Sequence, residues 1–426
     1  MYQSYLHLKE EKVRYNGNIL SIKPQKTVAV ALASNQSDKA ICTVSIGENV
    51  KIGSLLGYID DGVYLPIYSP VSGKVVDFKD YQYCTLQKVK HVVIENDLLD
   101  ESIRLFDEDF DYEKLSKEEI VECIKKSGIV GLSGAGFASY GKYLTDCDTL
   151  IINGCECESY LISDKVNVLN NCKDMLEGVL ILQKGADCKD VYIALKNSEK
   201  QEIELVEKLI EENSRYQHIQ LALIDDFYPC GWEKILTNWI TGKDFKVYTT
   251  ECGVIVNNIS TAIAIKKIFD SGLPLIDKYI TVAGDAVEKQ CVIKARIGTS
   301  VRQILDSIGY QKEDIIIYCG GTMMGSIMKN EDFFIASPYN GLIVMKKDDK
   351  EKDGCLEDDE TLNDHCCCDL DVISLYKACK DNDIKKAKEL AIESCCECGI
   401  CSYICKKDIR QAIREVKAKI LNENKE

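Results

Sequence analysis

The chain has 426 residues, 46% of them hydrophobic, which is enough material for about three domains with cores of their own. Its net charge of −16 argues against nucleic acid and anionic membrane surfaces as partners. No run of 18 apolar residues occurs, and the start MYQSYLHLKEEK has no signal-peptide core, so a soluble cytoplasmic protein is expected. Without a secretion signal, 22 cysteines read as reduced thiols and metal ligands rather than disulfides. Single ones among apolar residues, such as Cys42, Cys123 and Cys319, read as small core hydrophobes.

Residues 1–100 read as a β-rich module. TVAVALA, AICTVSI and HVVIE are short strand-like runs bounded by turn residues. The glycine elements between them resemble those of the barrel-sandwich folds of lipoyl and biotinyl carriers. The intervening hairpin Asp60-Asp61-Gly62 offers no lysine to modify, and Lys39 reads as a solvated loop residue, so the module is expected to be unlipoylated scaffolding. Residues 101–119 are acidic, a linker or surface helix.

Five glycines, Gly128, Gly131, Gly134, Gly136 and Gly141, then punctuate a loop ahead of the strand TLIIN. Closely set glycines let backbone N–H groups approach a phosphate or flavin without Cβ interference. Ser139 breaks the dinucleotide fingerprint, and no Gly-Lys-Ser/Thr follows, so ligand cradle and tight packing turn both stand. Strands and helices alternate from here to 250, which predicts a Rossmann-like α/β layer with parallel pairing over 101–250. Asn153, Glu156 and Glu158 fall just past TLIIN, at the carboxyl end of a strand, where such sheets bind ligands. The two carboxylates fit a nicotinamide ribose or the ordering of a loop, with solvated turn residues as the alternative.

Residues 251–345 read as a mixed α+β unit. It opens with GVIVNNISTAIAIKKIF, which places Asn258, Ser260 or Thr261 near a helix N-terminus, a position that favours anions and polar ligand edges. Met323 and Met324 read as packing residues. Residues 346–364 form a charged linker and 365–426 a helical unit.

That last unit contains Cys395, Cys398, Cys401 and Cys405 at Cys-x2-Cys-x2-Cys-x3-Cys spacing. The spacing wraps three thiolates around one corner of a cubane and returns a fourth from the next helical turn, so it predicts one 4Fe–4S cluster. Zinc sites more often pair their ligands across a longer gap.

Five motifs in chain order resemble the RnfC family, the flavin-bearing subunits of ion-pumping Rnf complexes, and more distantly the flavoprotein subunit of complex I. They are GLSGAGFASYGK, IINGCECESYL (INGAECEPYL in the family), VIVNNISTA, ITVAGDAV and CGGTMMG. The resemblance implies an FMN/NADH domain, a β-grasp unit of the soluble-ligand-binding (SLBB) type and electron transfer from NADH through FMN to an iron–sulfur cluster. It implies that Gly131, Gly134, Gly136 and Lys142 line the flavin cradle. Asn153, Glu156 and Glu158 would lie beside it, with Asn258 and Thr261 facing the flavin. Ser133 and Ala138 replace a glycine and a proline of the family loop. Trp232 stands at a family glycine, as a substitution or as the reading of an unusual codon.

The family has two four-cysteine motifs, and this chain has one. Cys366, Cys367 and Cys368 fall where the first motif should end. In two-cluster folds the fourth ligand of each cluster comes from the other motif. Closure of the cluster by Cys368, or its neighbour Cys367, is therefore the expectation, with Cys405 as the competing ligand. The one-cluster form resembles the electron-transfer proteins of proline reductase systems, which implies a soluble acceptor such as D-proline reductase. The alternatives are a peripheral subunit of a membrane Rnf-type complex and a cluster-bearing adaptor that has lost its flavin.

Overall fold

The computed structural model describes residues 6–107, 110–347 and 360–423. A first strand, β1 (Ile19–Ile22), precedes a module of two small antiparallel sheets. Their strands are β2 (Thr27–Ala31), β3 (Ala40–Cys42), β4 (Asn49–Val50), β5 (Leu55–Asp60), β6 (Tyr64–Tyr68), β7 (Gly73–Gln82) and β8 (Lys88–Asn96). One sheet has the order β2-β8-β7-β4 and the other β3-β5-β6, with Val28, Leu56, Val75, Val92 and Ile94 buried between them. This is the barrel-sandwich scaffold expected from the glycine elements.

α1 (Lys117–Ser127) starts on a capping box, Ser116 with Glu119, and stops at Gly128, whose φ of +66° suits glycine. The α/β layer follows: β9 (Thr149–Asn153), α2 (Ser163–Ala186), β10 (Asp190–Lys196), α3 (Lys200–Glu212), β11 (Ile219–Ile224), α4 (Glu233–Thr241), β12 (Val254–Asn258) and α5 (Ile259–Ser271). The sheet order is β11-β10-β9-β12, all parallel. Side chains alternate across it: Leu150, Ile152 and Ile255 face α2 and α5, while Ile151, Val254 and Val256 face α4. Gly178 on α2 is where the two covering helices touch, since a Cβ there would run into the Ala262 carbonyl oxygen on α5.

The third unit holds β13 (Asp277–Ala283), β14 (Cys291–Arg296), α6 (Val301–Ile308), β15 (Ile315–Cys319), β16 (Ser326–Met328) and β17 (Gly341–Lys346). Its sheet runs β1-β14-β13-β17-β15-β16, with β13 and β17 parallel at the centre. A hairpin, a crossing helix and a parallel central pair make a β-grasp arrangement. The helical unit is α7 (Val372–Lys380), α8 (Ile384–Glu389), α9 (Ile400–Cys405) and α10 (Ile409–Glu423). Ile409, Ile413, Val416 and Ile420 form the buried stripe of α10 at helical spacing. No helix among the described residues is long and apolar enough to cross a membrane.

Two expected placements change. The cut at 250/251 falls inside the parallel sheet, because β12 pairs with β9 from Val254–Thr149 to Asn258–Asn153. The α/β layer therefore extends to Ser271. β1, expected within the N-terminal module, pairs with β14 in the β-grasp sheet. Strand partners are chosen across space, and neither pairing leaves a local trace in the sequence. The linker expected at 346–364 lies mostly outside the described residues, and a short 3-10 helix already begins at Glu360.

Candidate flavin cradle and cysteine cleft

The glycine loop is a closed hairpin. Gly131 N–H donates to Phe137 O at 2.9 Å and Ser139 N–H to Ile129 O at 3.0 Å. Gly134 and Gly136 sit at φ +153° and +62°. Among the described residues, the N–H groups of Ser133, Gly134, Ala135 and Gly136 find no protein acceptor. The loop is braced from its carbonyl side. Asn35 Nδ2 donates to Gly134 O at 2.8 Å and Gln36 Nε2 to Ala135 O at 3.2 Å. The buried Lys278 donates to Leu132 O and Ser337 O, and burial lowers its amine to about 7. A loop held by its carbonyls with its N–H groups free fits an anionic or polar ligand.

Asn153 and Asn258 end adjacent parallel strands and are register partners. Asn153 Nδ2 donates to Gly231 O at 2.8 Å, and its Oδ1 accepts from Cys155 N–H at 3.0 Å. Asn258 caps α5 by accepting from Ser260 N–H at 2.8 Å and donates to Asp164 Oδ2 at 2.7 Å. Thr261 and Ser139 are fully buried with hydroxyls that have no partner among the described residues. Orphan hydroxyls and unclaimed N–H groups are what an incoming polar ligand satisfies, so these residues fit a flavin. Lys142 is tied to Glu233 Oε1 at 2.8 Å and Val256 O at 2.7 Å, bridging the loop to the sheet.

The two glutamates have structural partners instead. Glu156 accepts from Ser163 Oγ at 2.9 Å and from Asp164 N–H, at the start of α2. Glu158 accepts from Met323 N–H at 3.0 Å and Met324 N–H at 2.8 Å, on the turn between β15 and β16. Both order segments of the protein, which is one of the roles expected of them, and both are buried rather than solvated.

Glu156 carries a pH consequence. Burial pushes its carboxyl up from 4.5 to about 8, with the adjacent Asp164 carboxyl adding to the shift. The folded chain thus keeps a proton that the unfolded chain has released. This group's contribution to stability is full below about pH 4.5 and is lost as pH rises through about 8. Glu156→Gln keeps an acceptor without the charge. Its unfolding midpoint is expected to stay nearly level from pH 5 to 8 while the parent's falls, as a thermal-melt series in matched buffers reads out.

The second site is a cleft in the helical unit, lined by Cys366, Cys367, Cys368, Cys395, Cys396, Cys398 and Cys401. Cys367 Sγ lies 3.5 Å from Cys396 Sγ and 3.7 Å from Cys398 Sγ. The sulfurs of Cys367, Cys368 and Cys396 are within 4.8 Å of one another, close enough to share one ion. Hydrogen bonds from Cys367 and Cys396 hold Cys398 down at about 4, and those from Cys366, Cys367 and Cys396 hold Cys368 far below the usual thiol range. Cysteine sulfurs crowded in an apolar cleft fit an iron–sulfur core. Cys405 is buried in the helical core and does not line the cleft.

The cluster loop is docked onto both neighbouring units. Tyr228 Oη donates to Cys398 O at 2.5 Å. Arg410 donates to Glu397 O at 2.9 Å, Gly325 O at 2.7 Å and Met324 O, and Gly399 sits where a Cβ would meet Met323 O at 2.5 Å. Tyr228 and Gly231 come from the motif YPCGWEK, whose tyrosine and glycine were a usable signal in the sequence. Nothing local marks Arg410, Asp164 or Lys278.

The sequence also matches known proteins. Residues 3–98 match the RnfC barrel sandwich hybrid domain, and residues 124–267 match the Nuo51 FMN-binding domain. One component of the proton-translocating ferredoxin:NAD(+) oxidoreductase complex of Clostridium ljungdahlii is 32% identical over 313 residues, covering 72% of this chain and 68% of that protein. The corresponding component of the Na(+)-translocating complex of Acetobacterium woodii is 29% identical, covering 72% of this chain and 71% of the relative. Among solved structures, NAD+-reducing NiFe-hydrogenase in the H2-reduced state superposes with a TM-score of 0.54 at 17% identity, over 72% of this chain and 64% of that one. At that identity the likeness concerns the fold.

Proposed function

Because the chain belongs to the RnfC family, we propose that it is an electron-transfer flavo-iron–sulfur protein that couples NADH to a one-electron carrier. The observation that carries this reading is the docking of the thiolate cleft directly onto the flavin domain, Tyr228 Oη to Cys398 O at 2.5 Å. Gly131, Gly134, Gly136, Asn153, Asn258 and Thr261 would hold FMN, with Lys142 fixing the loop to the sheet. Cys395, Cys398 and Cys401 would hold one 4Fe–4S cluster, closed by Cys368 or Cys367. A bound flavin supplies the conversion of an electron pair into single electrons that a cluster accepts.

The chain's own residues do the positioning. Asn35, Gln36 and Lys278 hold the glycine loop by its carbonyls, so its N–H groups would be left for the flavin phosphate. Glu158 and Arg410 clamp the β15–β16 turn between the flavin domain and the cluster loop. Leu6, Leu8, Tyr228, Met323, Ile400 and Ile404 form an apolar seal around that junction, which keeps water from the route between the sites.

The relatives support a peripheral role in a membrane-bound ferredoxin:NAD oxidoreductase complex, on the cytoplasmic side. The presence of one complete four-cysteine motif favours a second reading, delivery to a soluble reductase such as D-proline reductase. Affinity capture of the tagged chain from anaerobic cells separates them. Membrane-embedded subunits recovered after mild detergent indicate the first, and a soluble reductase recovered without detergent the second.

A further inference from the structure

Three thiols meet between the cradle and the cluster loop, outside both proposed ligand sets. Cys155 and Cys157 flank Glu156 just past β9, and Cys230 lies in the turn that leads into α4. Cys155, Cys157 and Cys230 pack into one cluster, and a Cβ on Gly231, next to Cys230, would sit 3.5 Å from Cys155 Cβ. The two turns are in direct contact. A Cβ at Gly231 would collide with Cys155 O, and Asn153 Nδ2 holds Gly231 O at 2.8 Å. Cys155 and Cys230 are buried in a cluster with Ile235 and, at its edge, Trp232, while Cys157 is only partly buried and packs against the Tyr228–Met323–Ile400 cluster that Cys398 also packs against. The three sulfurs therefore span the gap from Asn153, at the cradle, to Cys398, at the cluster cleft. The family motif quoted above has alanine at position 155, so the cradle-side thiol belongs to this chain and not to the motif.

We propose that Cys157 and Cys230 form a redox-active dithiol pair that closes to a disulfide and reopens between the flavin site and the cluster. On closing, one S–S bond forms between Cys157 Sγ and Cys230 Sγ, two S–H bonds break, and two protons and two electrons leave to oxidised flavin, a two-electron acceptor. On opening, the S–S bond breaks and both thiols take their protons and the electron pair from reduced flavin. Cys155 is the alternative partner of Cys230, so thiol–disulfide exchange can hand the bond from the cradle side to the cluster side without net electron change. The pair also stores an electron pair while single electrons leave through the cluster. For its electron source the proposal rests on the flavin reading above.

The test uses the full chain under anaerobic conditions. Samples are equilibrated across ratios of reduced to oxidised dithiothreitol, alkylated and mapped by peptide mass spectrometry. A Cys157–Cys230 crosslink that titrates as a two-electron couple is expected, lost in Cys230→Ser and kept in Cys155→Ser. Alkylation of both Cys157 and Cys230 at every ratio in the parent overturns the pair. The oxidised, flavin-loaded chain is then expected to consume about one NADH more per chain than Cys230→Ser does, with the crosslink disappearing. Flavin bleaching while the crosslink persists overturns its place on the route. Failure of NADH to bleach the flavin contradicts the proposed function instead, and the dithiothreitol titration still decides the pair by itself.

Discussion

Serine at Cys398 is expected to leave the anaerobically reconstituted chain with less than about a tenth of its cluster iron, and serine at Cys405 to leave about four irons per chain in place. Cys398 is the best prepared ligand of the cleft. Its sulfur accepts a hydrogen bond from Cys367 Sγ at 3.7 Å, which favours the thiolate that iron binds. Its carbonyl is fixed by Tyr228 Oη at 2.5 Å, and the next residue, Gly399, has no room for a side chain against Met323 O. A serine hydroxyl in the same place neither ionises nor binds iron comparably. Cys405 is 4% exposed and packs with Leu375 and Ile409 in the helical core, and it is absent from the cleft lining. Cys368 lines the cleft with its sulfur within 4.8 Å of those of Cys367 and Cys396, so Cys368→Ser is expected to lower iron where Cys405→Ser does not. Iron and sulfide analysis of the three variants checks this. Iron lost with Cys405→Ser and kept with Cys368→Ser assigns the fourth ligand to Cys405.

Valine at Gly136 is expected to weaken FMN binding at least about tenfold, or about 1.4 kcal/mol, with cluster iron unchanged. Gly136 adopts φ +62°, which costs a β-branched residue about 1–3 kcal/mol. A Cβ there would also sit 3.0 Å from Asn35 Nδ2 and from Pro338 Cγ. Asn35 is the side chain that holds Gly134 O, so displacing it turns the loop's N–H groups away from the ligand. Gly134 has open space around it, and its φ of +153° lies at the edge of the glycine region, so alanine there is expected to have the smaller effect. Quenching of FMN fluorescence on titration measures both variants.

Much of this was legible in the sequence because the signals are local. The four-cysteine spacing, the run of glycines from Gly128 to Gly141 and the strand–helix alternation each lie within a few dozen residues. The N-cap role of Asn258 was readable from an apolar strand running straight into a helix. What could not be read depends on contacts between distant segments. β1 completes a sheet whose other strands start more than 250 residues later, and β12 joins a sheet opened at residue 149. Glu156 and Glu158 look like a ligand-facing pair in a motif, yet each finds protein donors, seven and more than 160 residues away. Arg410 is one of several basic residues on a helix until its three carbonyl partners are seen. The meeting of Cys155, Cys157 and Cys230 likewise exists only in three dimensions.

The central claim is that an electron pair entering at the glycine-lined cradle leaves singly through the cysteine cleft. Anaerobic addition of NADH to the reconstituted chain, followed by visible absorbance and by electron paramagnetic resonance of the frozen sample, tests it most directly. The account predicts loss of the oxidised flavin bands together with the signal of a reduced, paramagnetic cluster. A flavin that bleaches while the cluster stays oxidised, or a chain that retains no flavin, contradicts it.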